Sequence, residues 1–95
     1  MATTREKLMA KLHKAYPSLF LKTTEEFDGR SGGIWTGSED RVVDRDGYLI
    51  FDYYAEDYQE KKYIFGVRVH LHNFLLRNGW YAEWYDCGTI IIYEI

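Results

Sequence analysis

Trp80-Tyr81-Ala82-Glu83-Trp84-Tyr85-Asp86-Cys87-Gly88-Thr89-Ile90-Ile91-Ile92-Tyr93-Glu94-Ile95 reads as a β-hairpin written almost wholly in aromatic and β-branched residues. Such side chains suit a pleated, half-buried surface, and Asp86-Cys87-Gly88 supplies the turn. Gly88 falls where a type I turn ends in a left-handed bulge position. Chain ends are usually polar and frayed, so an end this apolar is expected to pack into the sheet and close the fold. Trp80, Ala82 and Trp84 share one face of the first strand; Tyr81, Glu83 and Tyr85 share the other. The register stays open. If Asp86-Cys87-Gly88 are all loop, Trp84 sits opposite Ile90; if only Cys87-Gly88 are, it sits opposite Ile91, and such a slip reverses the faces of the last strand.

The chain has 95 residues, enough for one α+β domain over 1–95. At this size only about 60 to 65% of the unfolded surface can be buried, so the core needs large side chains. Nine Tyr, five Phe and three Trp provide them. Tyr brings a hydroxyl that needs a partner or water, so a Tyr excess implies half-buried positions and wet contact surfaces. The lone Cys excludes an internal disulfide, and no apolar run approaches the length of a membrane span. The expected compartment is a reducing cytoplasm.

Charge is unevenly placed within a net −3. Residues 1 to 22 carry five bases against Glu6, whereas residues 25 to 60 carry eleven acids against Arg30, Arg41 and Arg45, a local balance of −8. That asymmetry either marks a surface for a basic partner or keeps an aromatic-rich chain soluble.

Upstream, Thr3 and Glu6 fit a capping box, and Leu8, Met9, Leu12, Ala15 and Tyr16 recur at helical spacing until Pro17. Ser18 to Lys22 reads either as a strand or as a further helical turn. Thr23 to Gly33 reads as a loop. Ile34-Trp35-Thr36 and Arg41-Val42-Val43 read as short strands, and Asp44-Arg45-Asp46-Gly47 as a hairpin turn into a strand from Tyr48 to Tyr54. Ala55 to Lys62 is expected to open a second helix. Val67 to His72 alternates with period two, yet Ile64, Val67, Leu71, Phe74 and Leu75 fall on one helical face and Asn78-Gly79 is a helix stop. The helical reading, Tyr63 to Arg77, is the one adopted. These elements combine into an antiparallel sheet of four to five strands with two helices packed on one face.

Candidate chemistries mostly fail on spacing. His70 and His72 point about 200° apart on a helix and cannot chelate together, so neither a metal nor another cofactor is expected. Aligning Asp44-Arg45-Asp46-Gly47 with a calcium loop puts Val42 and Tyr53 at ligand positions. Gly29-Arg30-Ser31-Gly32-Gly33 lacks the ending of a P-loop. Cys87 has no base placed against it, only Asp86, and no catalytic residue is expected.

Gly33-Ile34-Trp35, Phe51-Asp52-Tyr53-Tyr54 and Gly79 to Thr89 together resemble small accessory proteins encoded by tailed bacteriophages, over residues 27 to 95. The resemblance implies an accessory protein in the bacterial host cytoplasm, and it carries over no catalytic residue. The expected function is accordingly non-enzymatic: an inhibitor or modulator of a host protein with a basic surface, acting through Tyr53, Tyr54, Tyr81, Glu83, Tyr85 and Asp86. The bland alternative for these residues is a Tyr-rich sheet face covered by a helix. A binder of nucleotides or single-stranded nucleic acid, using Trp35 and the glycine loop, is the second reading. A structural or oligomeric virion component is the third.

Overall fold

The computed structural model describes residues 2–55 and 62–95. In chain order they form α1 (Arg5–Ala15), β1 (Lys22–Thr23), α2 (Thr24–Asp28), β2 (Ile34–Gly37), β3 (Tyr63–Ile64), β4 (Val67–Arg68), α3 (Val69–Arg77), β5 (Trp80–Asp86) and β6 (Thr89–Glu94). The four-stranded antiparallel sheet has the order β1-β2-β6-β5, and β3 and β4 make a separate small hairpin. The α+β class and the four-stranded antiparallel sheet agree with the sequence reading.

The terminal strand lies inside this sheet, between β2 and β5. Its register settles the hairpin question by combining both readings. Asp86 pairs with Thr89 across a tight Cys87-Gly88 turn, and a bulge between Trp84 and Asp86 brings Trp84 opposite Ile90. Gly88 is not in the left-handed region expected of it. Its carbonyl instead faces Gly37, where an added Cβ would lie 2.6 Å from that oxygen. A side chain at Gly37 would therefore push β2 away from the turn that ends β5.

One sheet face is the floor of the core. Ile34 from β2, Ile90 and Ile92 from β6 and Trp80 from β5 bury against Leu8 and Leu12 of α1 and Leu71 and Leu75 of α3. Both longer helices thus cover one face, as expected. The N-terminal segment fastens α1 to the end of α3: Thr3 N–H donates to the Asn78 carbonyl (2.9 Å), and the Trp80 indole donates to the Thr3 carbonyl (2.7 Å). Thr3 is consequently an anchor and not the helix cap. Thr4 is the N-cap, accepting from the Lys7 N–H, and no capping box forms there.

Several expectations are corrected. The loop at Thr23 to Gly33 contains α2, opened by a capping box in which Thr23 and Glu26 satisfy each other and closed by left-handed Gly29. Ser18 to Leu21 becomes a turn leading into β1, which takes Lys22. Arg41 takes a positive φ of 50°, which breaks the proposed Arg41 to Val43 strand, and only Val43 bridges to Leu49. The Asp44-Gly47 turn forms, with Asp44 N–H donating to the Tyr48 carbonyl at 2.8 Å. The strand after it does not persist: along the run only isolated bridges form, Val43 with Leu49 and Phe51 with Val67. The helix expected to open at 55–62 lies outside the described residues over 56–61. Its continuation from Tyr63 is replaced by the β3–β4 hairpin, and α3 starts at Val69, so Val67-Arg68 is strand and His70 and His72 are helical.

Removing Thr89 to Ile95 should abolish cooperative unfolding, because the strand takes part in two of the sheet's three ladders and supplies three buried isoleucines, Ile90, Ile91 and Ile92. A marginal stability of roughly 5 to 10 kcal/mol cannot absorb that loss. Thermal denaturation followed by circular dichroism checks this, and a truncated chain melting within a few degrees of the full one would contradict it.

Candidate interaction surface

The pairing register lines up Trp35 of β2, Ile91 of β6 and Glu83 of β5 on the sheet face opposite the core. Trp35 is not bare. Phe20 packs edge-on against it at 4.8 Å between centroids, and Phe27 of α2 lies 4.9 Å from Trp35 and 5.0 Å from the Tyr85 ring. Arg30, just past α2, holds its guanidinium 5.6 Å from the Tyr85 ring centre and donates to the Tyr93 hydroxyl (2.8 Å) and to Asp28 (2.7 Å). Tyr81 and Tyr93 sit together across the strands at 5.7 Å. The reading of a covered aromatic face therefore applies to the β2 half, while Glu83 and Tyr85 at the β5 half remain exposed.

Across β5, on its core side, a second aromatic group gathers on Trp84. The indole donates to the Phe65 carbonyl (2.7 Å), the Tyr53 ring stands edge-on at 5.0 Å, and Tyr54 packs on Tyr53 at 5.3 Å. Phe65 and Gly66 take successive positive φ values, 48° and 76°, as the turn of a tight hairpin requires. Gly66 has a second reason to be glycine: an added Cβ would lie 2.7 Å from the Asp52 carbonyl and 3.1 Å from the Trp84 ring. Phe65 has no such excuse. A bulky residue in the left-handed region is strained, yet this ring is 91% exposed, with Tyr54 at 75%, Tyr85 at 55% and Tyr53 at 49%.

The predicted residues thus fall into two groups flanking one strand edge. Tyr53 and Tyr54 stand on the Trp84 side, and Tyr81, Glu83 and Tyr85 on the other. Asp86 is turned to the hairpin, where its carboxylate accepts from the Gly88 N–H (3.0 Å). Trp35 shares the face of Glu83 and Tyr85 but lies in its covered half, joined to Tyr85 through the Phe27 ring. Phe65 was missed by the sequence reading, and Arg30 was weighed there only as part of the glycine loop; the signal for Phe65 was the Phe65-Gly66 pair between two short β-prone dipeptides, outweighed by the helical spacing of its neighbours.

Much of the acidic middle is neutralised internally. Glu25 accepts from the Gly32 N–H (3.1 Å) and from Arg5 (2.7 Å); the Gly32 bond first, then its own N–H and Arg5, hold its carboxyl below the usual range. The Arg30 and Gly33 N–H groups donate to Asp28 and Thr24, so the glycine loop turns its amides toward its own side chains instead of an anion. Arg68 is buried, its side chain 5% exposed, and pairs with Asp44, 7% exposed, at 2.6 Å while also reaching Asp46 at 3.3 Å. The Tyr48 ring covers the guanidinium at 4.5 Å. Burial pushes the Asp44 carboxyl up, but Arg68 and the Tyr48 and Asp46 N–H groups outweigh it, and its pKa ends below the ordinary value. Acids left at the surface beside the aromatics include Glu83, and Glu39 and Asp40, which rim a cleft of about 380 Å³ floored by Phe20 and Trp35.

Among the described residues no group of three or more His, Cys, Asp or Glu converges on a metal-sized space, and no helix is long and apolar enough to cross a membrane. Compared with protein-family models, curated proteins and solved structures, the chain matches none.

Because the Asp44 pKa is depressed on folding, its stabilisation is present above the unfolded value of 3.8 and is lost as pH falls through the folded one. Asp44→Ala should therefore cost about 3 kcal/mol at neutral pH, where it strands a buried guanidinium, and distinctly less at about pH 2. Urea unfolding of both proteins at the two pH values tests this, and an equal cost at both would contradict it.

Proposed function

We propose that the protein is a non-enzymatic interaction module that inhibits or modulates a host protein, in the manner of an accessory protein of a tailed bacteriophage. One observation carries the reading: Tyr53, Tyr54, Phe65 and Tyr85, all well exposed, crowd the two sides of one edge strand, with Glu83 beside Tyr85 on one of them. Large rings that stay in water gain most by being covered, and Tyr is among the residues that anchor interfaces. The surface carboxylates Glu39, Asp40 and Glu83 favour a partner that is basic where it touches them. The nucleic-acid reading draws less support, since the Trp35 ring is covered on two sides and the glycine-loop amides of Arg30, Gly32 and Gly33 have acceptors.

A partner captured from bacterial lysate should bind through these rings. Tyr53→Ala and Tyr85→Ala should each weaken binding by about 2 kcal/mol, close to thirtyfold, chiefly through faster dissociation. Glu83→Lys should act mainly on the association rate, and added salt should slow association more than it speeds dissociation. Binding kinetics across an ionic-strength series provide the check. If the partner proves to be DNA or RNA, with affinity lost on neutralising Lys7, Lys11 and Lys14, the module reading is wrong.

A further inference from the structure

In antiparallel strands the N–H and C=O of a residue point to the same side, and the side alternates along the strand. The Ile95 N–H donates to the Gly79 carbonyl (2.9 Å), so, counting along the register, Tyr81 and Glu83 are the β5 residues bonded to β6. The opposite ladder agrees: the Ser38 N–H donates to the Gly88 carbonyl (3.1 Å), which turns Ile90 and Ile92 of β6 toward β2 and leaves Ile91 and Tyr93 for β5. The backbone groups of Ala82 and Trp84 therefore point away from the sheet. Among the described residues they have neither a backbone nor a side-chain partner.

We infer that this edge takes an extended segment of the partner as a further antiparallel strand, basic on one face and apolar on the other. The inference rests on the interaction-module reading and gives the partner a shape. Four backbone groups, the N–H and C=O of Ala82 and Trp84, are available to the incoming strand, and such a ladder supplies affinity whatever the side chains. Side chains select. On the Glu83 face an added Lys or Arg meets that carboxylate beside the Tyr81 ring, where charge pairing and cation–π contact both favour it, while Arg30 keeps its place at the Tyr85 ring. On the Trp84 face an apolar residue meets Trp84, Tyr53 and the exposed ring of Phe65, so the strained β3–β4 turn becomes one wall of the groove. Beyond Trp84 the bulge ends the regular edge, and at the other end the N-terminal segment occupies the space beside Gly79, so the accepting stretch is short.

A synthetic peptide of alternating Lys and Val tests the chemistry, with an alternating Glu and Val peptide as control, read by hydrogen exchange of the Ala82 and Trp84 amides. The Lys peptide should slow both and the Glu peptide neither. Ala82→Pro removes an N–H that no internal bond uses, a substitution edge strands tolerate. It should keep the Glu83–Ile91 cross-strand contacts by NMR and weaken the peptide about tenfold. Binding that survives Ala82→Pro unchanged but falls with Tyr85→Ala overturns strand addition and leaves the module reading standing. Amides unaffected by millimolar peptide also overturn it; the module reading fails as well only if a captured partner ignores Tyr53→Ala and Tyr85→Ala. Self-association of the wild type, lost in Ala82→Pro, would assign the edge to a second copy and overturn the basic segment.

Discussion

Every backbone group of β6 has a fixed side to serve. Ile90 and Ile92 bond to β2 and Ile91 and Tyr93 to β5, while the side chains of Ile90 and Ile92 go down into the helices and Ile91 goes up beneath the aromatic face. A strand held on both edges and buried on both faces cannot slip by one residue without reversing all of these at once. Its register in turn dictates which groups of β5 point outward. The bulge at the end of β5 is the local accommodation: it lets a tight Cys87-Gly88 turn coexist with a pairing of Trp84 and Ile90 that keeps the indole on the core side.

The second constraint is a charge. Arg68 sits at the junction of β4 and α3, where it lies under the Tyr48 ring and ties the Asp44-Gly47 turn to the small hairpin. Removing two ions from water is costly, and their attraction offsets that only with good geometry and further hydrogen bonds. Here the further bonds exist: Asp44 also accepts from the Asp46 and Tyr48 N–H groups, and Arg68 donates to the Lys62 carbonyl. The pair is therefore better read as a device fixing where the Tyr48 to Tyr54 segment crosses the hairpin than as a source of net stability. That crossing is what carries Tyr53 onto Trp84.

Legibility in the sequence followed the range of the deciding interactions. The terminal hairpin, the body of α1 and the Asn78-Gly79 stop were readable because period and turn chemistry are local, whereas the α1 cap was set one residue early, at Thr3 and not Thr4. The sides of β5 were readable too, so Tyr81, Glu83 and Tyr85 were correctly grouped. Tyr53 and Tyr54 were grouped with them on one surface, whereas they gather on Trp84, on the other side of the strand. The Tyr48 to Tyr54 run has the propensity of a strand but no neighbour of matching length, so bridges at Val43 and Val67 are all that form. The helix expected from Tyr63 is split at Arg68 because Gly66 serves a tight turn, and α2 was masked by the glycines that follow its Thr23-Glu26 box.

An exposed sheet edge invites any chain to pair, so its side chains must also decide what is refused. Pairing of two β5 strands about Glu83 would set one carboxylate against its copy, a like-charge contact that disfavours that self-assembly. The bulge shortens the edge, which limits how much nonspecific pairing it can support. A basic segment meets the Glu83 carboxylate instead, and the nearby Arg30 is already paired with Asp28. The same carboxylate that opposes this self-pairing favours a cationic strand, and the rings of Tyr85 and Tyr53 stand on either side of the place where that strand would lie. In the proposed mode, selection by charge at the centre and retention by aromatic packing at the flanks would be served by separate residues, so that partner choice and residence time could be altered independently.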